Sequence, residues 1–136
     1  MKKVLILCTG NSCRSIIAEA LVDRMLGGRG IKAYSAGSDP SGRVHPDARK
    51  VLEEEGMWDG RFRSKSIDEV VAEGPFDLVV TLCDDAKERC PVVPGSLRRI
   101  HVGFEDPDGK PYEFFVETKE LMEKRLVPII RKELSE

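Results

Sequence analysis

The sequence predicts an α/β fold in which a four-stranded parallel sheet is flanked by helices. Two observations predict this fold. Segments typical of strands alternate along the chain with segments of helical periodicity. The strand segments are largely apolar, as expected where helices cover both faces of a parallel sheet. The chain of 136 residues is long enough for one hydrophobic core, so we expect a single domain over residues 1–136.

The first half of the chain contains two predicted strands and three predicted helices. β-branched and aliphatic runs mark the strands, and apolar residues at helical spacing, followed by glycine, mark the helices. Pro46 suits the first turn of one of these helices. In chain order the elements are a strand over 3–7, a helix over 14–28, a strand over 31–37, and helices over 46–56 and 64–74.

The second half begins with an apolar strand over 76–83, FDLVVTLC, that ends at a cysteine. Two acidic residues then suit the start of a short helix over 84–90, and a fourth strand is predicted over 97–102. After a polar loop, residues 112–136 form an amphipathic helical pattern, in which Pro128 should cause a kink or leave a carbonyl unpaired. The apolar stripe of that helix consists of Phe115, Met122, Leu126 and Ile129.

The composition excludes several classes of function. A formal net charge of −2, with both signs mixed along the chain, provides no basic surface for nucleic acid. The apolar segment Val4 to Leu7 is shorter than the roughly 7 to 15 residues of a signal peptide core, and no segment is long enough to span a membrane. We therefore expect a cytoplasmic monomer that binds neither nucleic acid nor membrane.

The loop between the first strand and the first helix carries a thiol and a guanidinium at its two ends. Its sequence is CTGNSCRS, from Cys8 to Ser15. Such a loop can turn N–H groups inward as a nest for an anion, and Arg14 suits a tetrahedral oxyanion as a bidentate donor. These groups together favour the thiolate of Cys8. Ser15 is placed to donate a hydrogen bond to that thiolate, and Asn11 to hold the loop backbone. The alternatives are a buried cysteine that caps the strand and two ordinary helix caps.

The cysteines need a chemical role, because a reducing compartment does not favour structural disulfides. Cys8 and Cys83 both end predicted strands. If the first and third strands are neighbours, as in the order 2-1-3-4, these two cysteines lie about 5 Å apart, within reach of a disulfide. A zinc site is the alternative, but the spacing lacks the Cys-x2-Cys pairs of structural zinc. The four cysteines are Cys8, Cys13, Cys83 and Cys90.

These motifs resemble those of a known family. The segment CTGNSCRS is similar to the phosphate-binding loop of the low-molecular-weight protein tyrosine phosphatases, and more closely to that of the thioredoxin-coupled arsenate reductases that share their fold. The similarity continues through YSAG, DLVVTLCDDAKERCP and GFEDPDGK, so it covers nearly the whole chain. The resemblance implies the strand order 2-1-3-4 and an oxyanion-binding loop formed by Thr9, Gly10, Asn11, Ser12, Cys13, Arg14 and Ser15.

The resemblance also implies catalytic roles. Cys8 is the nucleophile, Arg14 clamps the anion, and Asp106 is the general acid that protonates the departing oxygen. Without the family, Asp106 would be interpreted as a turn residue before proline. Cys83 and Cys90 match the cysteine pair of the reductases, which must pass on an oxidation. The polar DPDG segment also lacks the aromatic residues with which the phosphatases hold a phenolic substrate.

The function predicted from this resemblance is the reduction of arsenate to arsenite, with phosphate or sulfate as substrate mimics. Oxidation passes from Cys8 to Cys83 and then to Cys90, thioredoxin reduces the last disulfide, and no cofactor is bound tightly. If residues 84–90 are helical they span about 10 Å, so this helix must unwind before the last disulfide forms. The alternatives are a phosphatase that acts through a Cys8 phosphoenzyme, and a thiol redox sensor without enzyme activity.

A position near the loop departs from the pattern of the family. Some of the reductases that the chain resembles bind a monovalent cation through groups similar to Asn11, Glu19 and Ser35, but the residue that completes the site here is Lys65. An ammonium in that place predicts weak or no dependence on potassium, and no metal. The remaining candidates are interpreted as structural or protective side chains: Cys13, His45 and His101.

Overall fold

The computed structural model describes residues 1–83 and 98–135. Four strands form a parallel sheet, which confirms the predicted fold class. Their bounds are Lys2–Cys8 (β1), Ile31–Gly37 (β2), Leu78–Thr81 (β3) and Arg99–His101 (β4). The order across the sheet is β2-β1-β3-β4, as predicted, so β1 pairs with a strand on each side.

Helices occupy segments between the strands and the C-terminal region. They are Arg14–Leu26 (α1), Pro46–Glu54 (α2), Ile67–Val70 (α3), Tyr112–Leu121 (α4) and Val127–Glu133 (α5). Short 3-10 turns follow α1 at Gly27–Arg29 and α3 at Val71–Glu73. Within residues 1–83 and 98–135, no helix is long and apolar enough to cross a membrane.

The core has two parts, one on each face of the sheet. Because side chains alternate along a strand, Val4 and Ile6 of β1 face one side while Leu5 and Leu7 face the other. The larger cluster joins the first pair to α1, α2, α4 and α5, and the smaller one joins the second pair to Phe76 and α3. Burial on both faces explains why the strand segments are apolar. It also fixes the carboxyl end of β1, where the thiol lies.

The third strand is shorter than the sequence predicts. β3 ends at Thr81, two residues before Cys83. Hydrogen bonding continues past this end, because Leu82 N donates to Leu7 O at 2.9 Å. The segment after β3 therefore still runs beside the end of β1. The predicted helix over 84–90 lies outside the described residues, as does the beginning of the predicted fourth strand.

The C-terminal helix accommodates its proline by a change of winding. A π turn over Met122–Leu126 separates α4 from α5, and Pro128 lies in the first turn of α5, where its missing N–H is tolerated. The wider turn contains more residues than an α turn, so the buried stripe shifts by one position after it. Ile130 is fully buried whereas Ile129 is 37% exposed, and the prediction that Ile129 belongs to the apolar stripe is wrong.

Candidate active site

The loop that joins β1 to α1 lines a cavity with Gly10, Ser12 and Cys13. Its carbonyls are bound by a neighbouring segment: Asp39 N donates to Thr9 O, Ser41 N to Gly10 O, and His45 N to Ser12 O, at 3.0 to 3.1 Å. Across a planar trans peptide the C=O and the following N–H point in opposite directions, so the N–H groups of Gly10 and Cys13 point away from the donors that bind these carbonyls. Both residues line the cavity. The side chain of Cys13, the N-cap residue of α1, makes no capping hydrogen bond to this helix. The positive end of the helix dipole adds to the attraction for an anion.

Asn11 fixes the middle of the loop. Its φ of 46° lies in the left-handed region, which asparagine adopts more readily than most residues. The side chain is fully buried and its amide makes three hydrogen bonds. Nδ2 donates to Ser15 Oγ at 2.6 Å and to Ser35 Oγ at 3.0 Å, and Oδ1 accepts from Lys65 N at 2.9 Å. These bonds hold the loop against β2 and the segment before α3.

Two thiols lie in or next to the loop, and their surroundings differ. Cys8 Sγ lies 2.9 Å from Ser15 Oγ. Because Ser15 Oγ already accepts a hydrogen bond from Asn11, its own hydrogen can point at the sulfur and stabilise a thiolate. Burial, with smaller contributions from two carboxylates across the cavity, raises the pKa of Cys13 to about 12. Cys13 therefore remains a thiol at neutral pH, which leaves Cys8 as the candidate nucleophile.

Arg14 begins α1, and its guanidinium is buried beside the cavity. Nη1 donates to Phe104 O at 3.1 Å and to Leu82 O at 3.4 Å, while Nη2 lies 3.5 Å from Asp106 Oδ2. Phe104 and Asp106 lie on the loop that follows β4, and Leu82 lies on the segment that follows β3, so two separate segments contact the guanidinium. A planar fork fixed in this way suits bidentate binding of a tetrahedral oxyanion.

The cavity has a volume of about 120 Å³ and brings together three of the predicted catalytic groups. Its lining consists of Cys8, Gly10, Ser12, Cys13, Arg14, Ser41, Asp106 and Asp108. Asp106 lies on the loop between β4 and α4 and is 46% exposed. The N–H of Asp108 donates to Asp106 Oδ1 at 3.1 Å, and Asp106 Oδ2 faces Arg14. The cavity thus offers a small anion a thiol on one side and a carboxyl group on the other.

Cys83 is a buried thiol, as are Cys8 and Cys13. It is not among the residues that line the cavity, but the residue before it donates its N–H to Leu7 O, directly before Cys8. Cys8 ends β1, and Cys83 follows the neighbouring strand β3, so both cysteines lie at the carboxyl ends of adjacent strands. Neighbouring strands are about 5 Å apart. Cys90 lies outside the described residues. Among residues 1–83 and 98–135, no group of three or more His, Cys, Asp or Glu side chains could hold a metal ion.

A buried ion pair lies next to Asn11. Lys65 Nζ lies 3.3 Å from Ser35 Oγ and 3.8 Å from Glu19 Oε1, and Ser35 Oγ donates to the same carboxylate oxygen at 2.5 Å. Burial lowers the pKa of Lys65 and raises that of Glu19, and each charge opposes the shift of the other. The ammonium therefore stands among the side chains that the sequence suggested for a cation. Arg61 Nη1 lies 3.8 Å from the second oxygen of Glu19.

Gly37, Ser41 and Asp108 were not predicted from the sequence, and His45 was predicted to be structural. Gly37 ends β2, and a Cβ there would lie 2.5 Å from Thr9 O, so the loop needs glycine at this position. His45 pairs with Asp108, which lines the cavity, and Nε2 and Oδ1 are 3.2 Å apart. The available signals were weak: a glycine after a predicted strand, a histidine before the helix-opening Pro46, and an acidic residue in a polar turn.

The chain matches the profile of a protein family over most of its length. The family is described as low molecular weight phosphotyrosine protein phosphatase, and the match covers residues 3–136. Among similar proteins, arsenate reductase 2 of Staphylococcus epidermidis is 41% identical over 114 residues, which cover 84% of this chain and 85% of the relative.

Solved structures that share the fold include two arsenate reductases. One is described as an arsenate reductase in the phosphate binding state; it has a TM-score of 0.79 and 32% identity, and the match covers 97% of this chain and 98% of that chain. The other is the thioredoxin-dependent arsenate reductase of Corynebacterium glutamicum, with a TM-score of 0.73 and 28% identity over 98% of this chain and 62% of its own. The protein therefore belongs to the low molecular weight phosphotyrosine protein phosphatase family.

Proposed function

We propose that this protein reduces arsenate to arsenite by passing an oxidation along its cysteines, and that thioredoxin returns these cysteines to thiols. The observation that carries the proposal is the buried thiol of Cys83, which follows the strand beside the one that ends at Cys8. A phosphatase needs water as its second nucleophile, whereas a reductase needs a further thiol. The activity in the names of the relatives supports the same reaction.

In the first step, the thiolate of Cys8 attacks the arsenic atom of an arsenate held by Arg14 and the N–H groups of the loop. Asp106 donates a proton to the departing oxygen, which leaves as water, and a covalent adduct of Cys8 with arsenic(V) remains. The guanidinium and the N–H groups are fixed before the anion arrives, so they stabilise the developing charge without reorganising. The proton from Asp106 converts a poor leaving group into a good one.

In the second step, the thiolate of Cys83 attacks Cys8 Sγ. The sulfur–arsenic bond breaks, its electron pair stays on arsenic, and arsenite leaves while Cys8 and Cys83 join in a disulfide. The thiolate of Cys90 then attacks Cys83 Sγ, and Cys8 leaves as a thiolate that is ready for the next arsenate. Two thiols have then supplied the two electrons that arsenic(V) needs to become arsenic(III).

The Cys83–Cys90 disulfide requires a dithiol reductant. We propose thioredoxin, because a thioredoxin-dependent arsenate reductase has the same fold. The thiols supply both electrons, so the proposal needs no tightly bound cofactor. Phosphate and sulfate are tetrahedral like arsenate, and we expect both to bind the loop and compete with the substrate. In this proposal the whole chain, residues 1–136, is one catalytic domain.

Oxidation of NADPH in the presence of thioredoxin and thioredoxin reductase tests the proposal. The wild-type protein should drive this oxidation only when arsenate is added. Cys83→Ser should abolish it but retain slow hydrolysis of a phenyl phosphate ester, because Cys8, Arg14 and Asp106 remain in place. Omitting thioredoxin is the control for direct transfer of electrons from the reductase.

The two alternatives predict other results. A phosphatase would hydrolyse the ester rapidly and would not use arsenate as an oxidant. A redox sensor would lose thiols on exposure to peroxide without turning over either substrate. Arsenate-dependent turnover that survives in Cys83→Ser would contradict the proposed relay.

A further inference from the structure

His45 has a fixed position beside the cavity. Its backbone N–H donates to Ser12 O at 3.1 Å, and its ring packs on the buried ring of Phe115 with centroids 4.6 Å apart. Nδ1 accepts a hydrogen bond from Asp47 N at 3.0 Å and so caps α2. Because a backbone N–H can only donate, Nδ1 carries a lone pair, and the ring proton is assigned to Nε2.

That proton faces the loop over 102–111, which we call the acid loop because it carries the proposed general acid. His45 Nε2 lies 3.2 Å from Asp108 Oδ1. The side chain of Asp108 is 66% exposed whereas that of His45 is 23% exposed. An acidic side chain this exposed is held by its polar contacts rather than by packing. The rigid imidazole therefore restrains the acid loop at Asp108.

Asp108 in turn sets the orientation of Asp106. Its N–H donates to Asp106 Oδ1 at 3.1 Å, which leaves Oδ2 directed at Arg14, 3.5 Å away. A general acid must present the oxygen that carries its proton to the departing group. If Asp108 moved, Oδ1 would lose its partner and the carboxyl group of Asp106 could rotate away from the cavity.

We infer that His45 and Asp108 form a tether beside the cavity and that this tether positions Asp106 for proton transfer. The inference rests on the proposed function, in which Asp106 is the general acid. His45 and Asp108 are positioning residues, since they act through Asp106. The tether connects Ser12 of the oxyanion-binding loop with the acid loop. It therefore fixes the distance between the bound anion and the proton donor. A displacement of about 1 Å at a catalytic group can slow a reaction by about 10²-fold.

Four variants separate the tether from the charge of Asp108. Asp108→Ala removes both the charge and the acceptor for His45, but it keeps the backbone N–H that binds Asp106. Asp108→Asn removes the charge and keeps an oxygen that can accept from Nε2. His45→Asn keeps a good helix cap and is too short to reach position 108. Glu105→Ala is the matched control, because it removes an exposed charge of the same loop that pairs with Lys110.

The first measurement is the rate at which reduced protein loses thiols after mixing with arsenate in the absence of a reductant. Because a general acid contributes about 10² to 10⁴ in rate, we expect Asp108→Ala and His45→Asn each to slow this step about tenfold. The double variant should also be slowed only about tenfold, because both changes break one contact. Asp108→Asn should recover most of the rate lost in Asp108→Ala, because its amide oxygen can still accept from Nε2. Glu105→Ala should stay within about twofold of the wild type, as is usual for an exposed charge.

The second measurement is the affinity for phosphate by calorimetry. It should be unchanged or about twofold tighter in Asp108→Ala, because the rim of the cavity loses a negative charge. A change that merely damaged the structure would weaken phosphate binding instead. The tether is overturned if Asp108→Ala reacts at the wild-type rate, if the two single effects multiply to about a hundredfold, or if phosphate affinity falls together with the rate.

Failure of the proposed function has a different signature, because the wild-type protein itself would then lose no thiols with arsenate. The tether is in that case judged on the hydrolysis of phenyl phosphate and 4-nitrophenyl phosphate. Phenolate is the poorer leaving group and needs the proton more, so Asp108→Ala should slow the phenyl ester about tenfold more than the nitrophenyl ester. Equal effects on the two esters would overturn the tether.

Discussion

The ion pair between Lys65 and Glu19 lies beside Asn11 of the oxyanion-binding loop. The effect of replacing this lysine on the free energy of unfolding can be calculated. Lys65→Met keeps the length of the side chain but removes the ammonium. At 3.8 Å and an effective dielectric constant of about 20, the attraction between the charges is about 4 kcal/mol. Arg61 Nη1, 3.8 Å from the other oxygen of Glu19, still partly compensates the charge of that carboxylate in the variant. We expect the free energy of unfolding to fall by about 3 kcal/mol at pH 8, the low end for a broken buried pair.

The loss should depend on pH because Glu19 titrates. Burial already raises the pKa of Glu19 above its ordinary value of 4.5, and Lys65 opposes that rise. Without Lys65 the native-state pKa rises further, while the unfolded-state value stays the same. At a pH between the unfolded-state pKa and the native-state pKa of Glu19, the native state binds more protons than the unfolded state. The stability of Lys65→Met therefore falls as pH rises through this window, by up to about 1.4 kcal/mol per pH unit.

Urea unfolding at pH 5 and pH 8, followed by the fluorescence of the single tryptophan, Trp58, measures this effect. Lys32→Met is the matched control, because Lys32 is an exposed lysine of β2 and its loss should change the stability by less than about 0.5 kcal/mol. A loss for Lys65→Met that is the same at both pH values, or no larger than that of the control, would refute the reasoning.

Potassium provides the second half of this test. Wild-type activity should be equal in potassium chloride and choline chloride of the same ionic strength, because the ammonium of Lys65 already lies next to Glu19 and Ser35. Lys65→Ala opens that place to a small cation. Potassium at ten times its Kd should then restore about 1.4 kcal/mol to the free energy of unfolding of this variant, whereas choline should restore none. Strong potassium activation of the wild type would contradict the assignment.

Three further predictions concern the loop itself. Gly37→Ala would bring a Cβ within 2.5 Å of Thr9 O, so it should lower the free energy of unfolding by about 1 to 3 kcal/mol and weaken phosphate binding. Urea unfolding and calorimetry measure both, and an unchanged phosphate affinity would show that the loop tolerates the displacement. Arg14→Lys keeps the charge but loses the planar fork, and should weaken phosphate binding at least about tenfold by calorimetry; an affinity equal to that of the wild type would exclude bidentate binding. Ser15→Ala removes the hydroxyl 2.9 Å from Cys8 Sγ, and should slow alkylation of Cys8 by iodoacetamide at neutral pH about fivefold, the equivalent of about 1 kcal/mol. Equal alkylation rates would show that the hydroxyl does not stabilise the thiolate.

The parallel sheet could be predicted from the sequence because the local patterns of its strands and helices all indicate the same fold. Alternating strand and helix patterns with apolar strands indicated the parallel sheet, and the resemblance indicated its order. The ends of the elements were less accessible. The apolar run over 76–83 continues past Thr81 because Leu82 and Cys83 are buried, and burial alone does not reveal where strand pairing stops. Similarly, Pro128 signalled a disturbance, but the phase shift caused by the π turn depends on packing.

Some residues of the candidate site could also be predicted from the sequence, and others could not. The loop around Cys8 and Arg14 could be predicted because its residues are close in the sequence and their spacing has a chemical reason. Asp106 required the resemblance, since an acid before proline usually marks only a turn. His45 and Asp108 are far apart in the sequence and meet only because α2 packs beside the acid loop. No local pattern reports such a contact.

Mapping the disulfides formed in one turnover tests the relay of thiols most directly. Reduced protein is mixed with one equivalent of arsenate, alkylated at low pH and digested, and the linked peptides are identified by mass spectrometry. The wild type should contain a disulfide between Cys83 and Cys90, and Cys90→Ser should stop at a disulfide between Cys8 and Cys83. Release of arsenite with a Cys8–Cys13 disulfide, or with no disulfide at all, would contradict the relay.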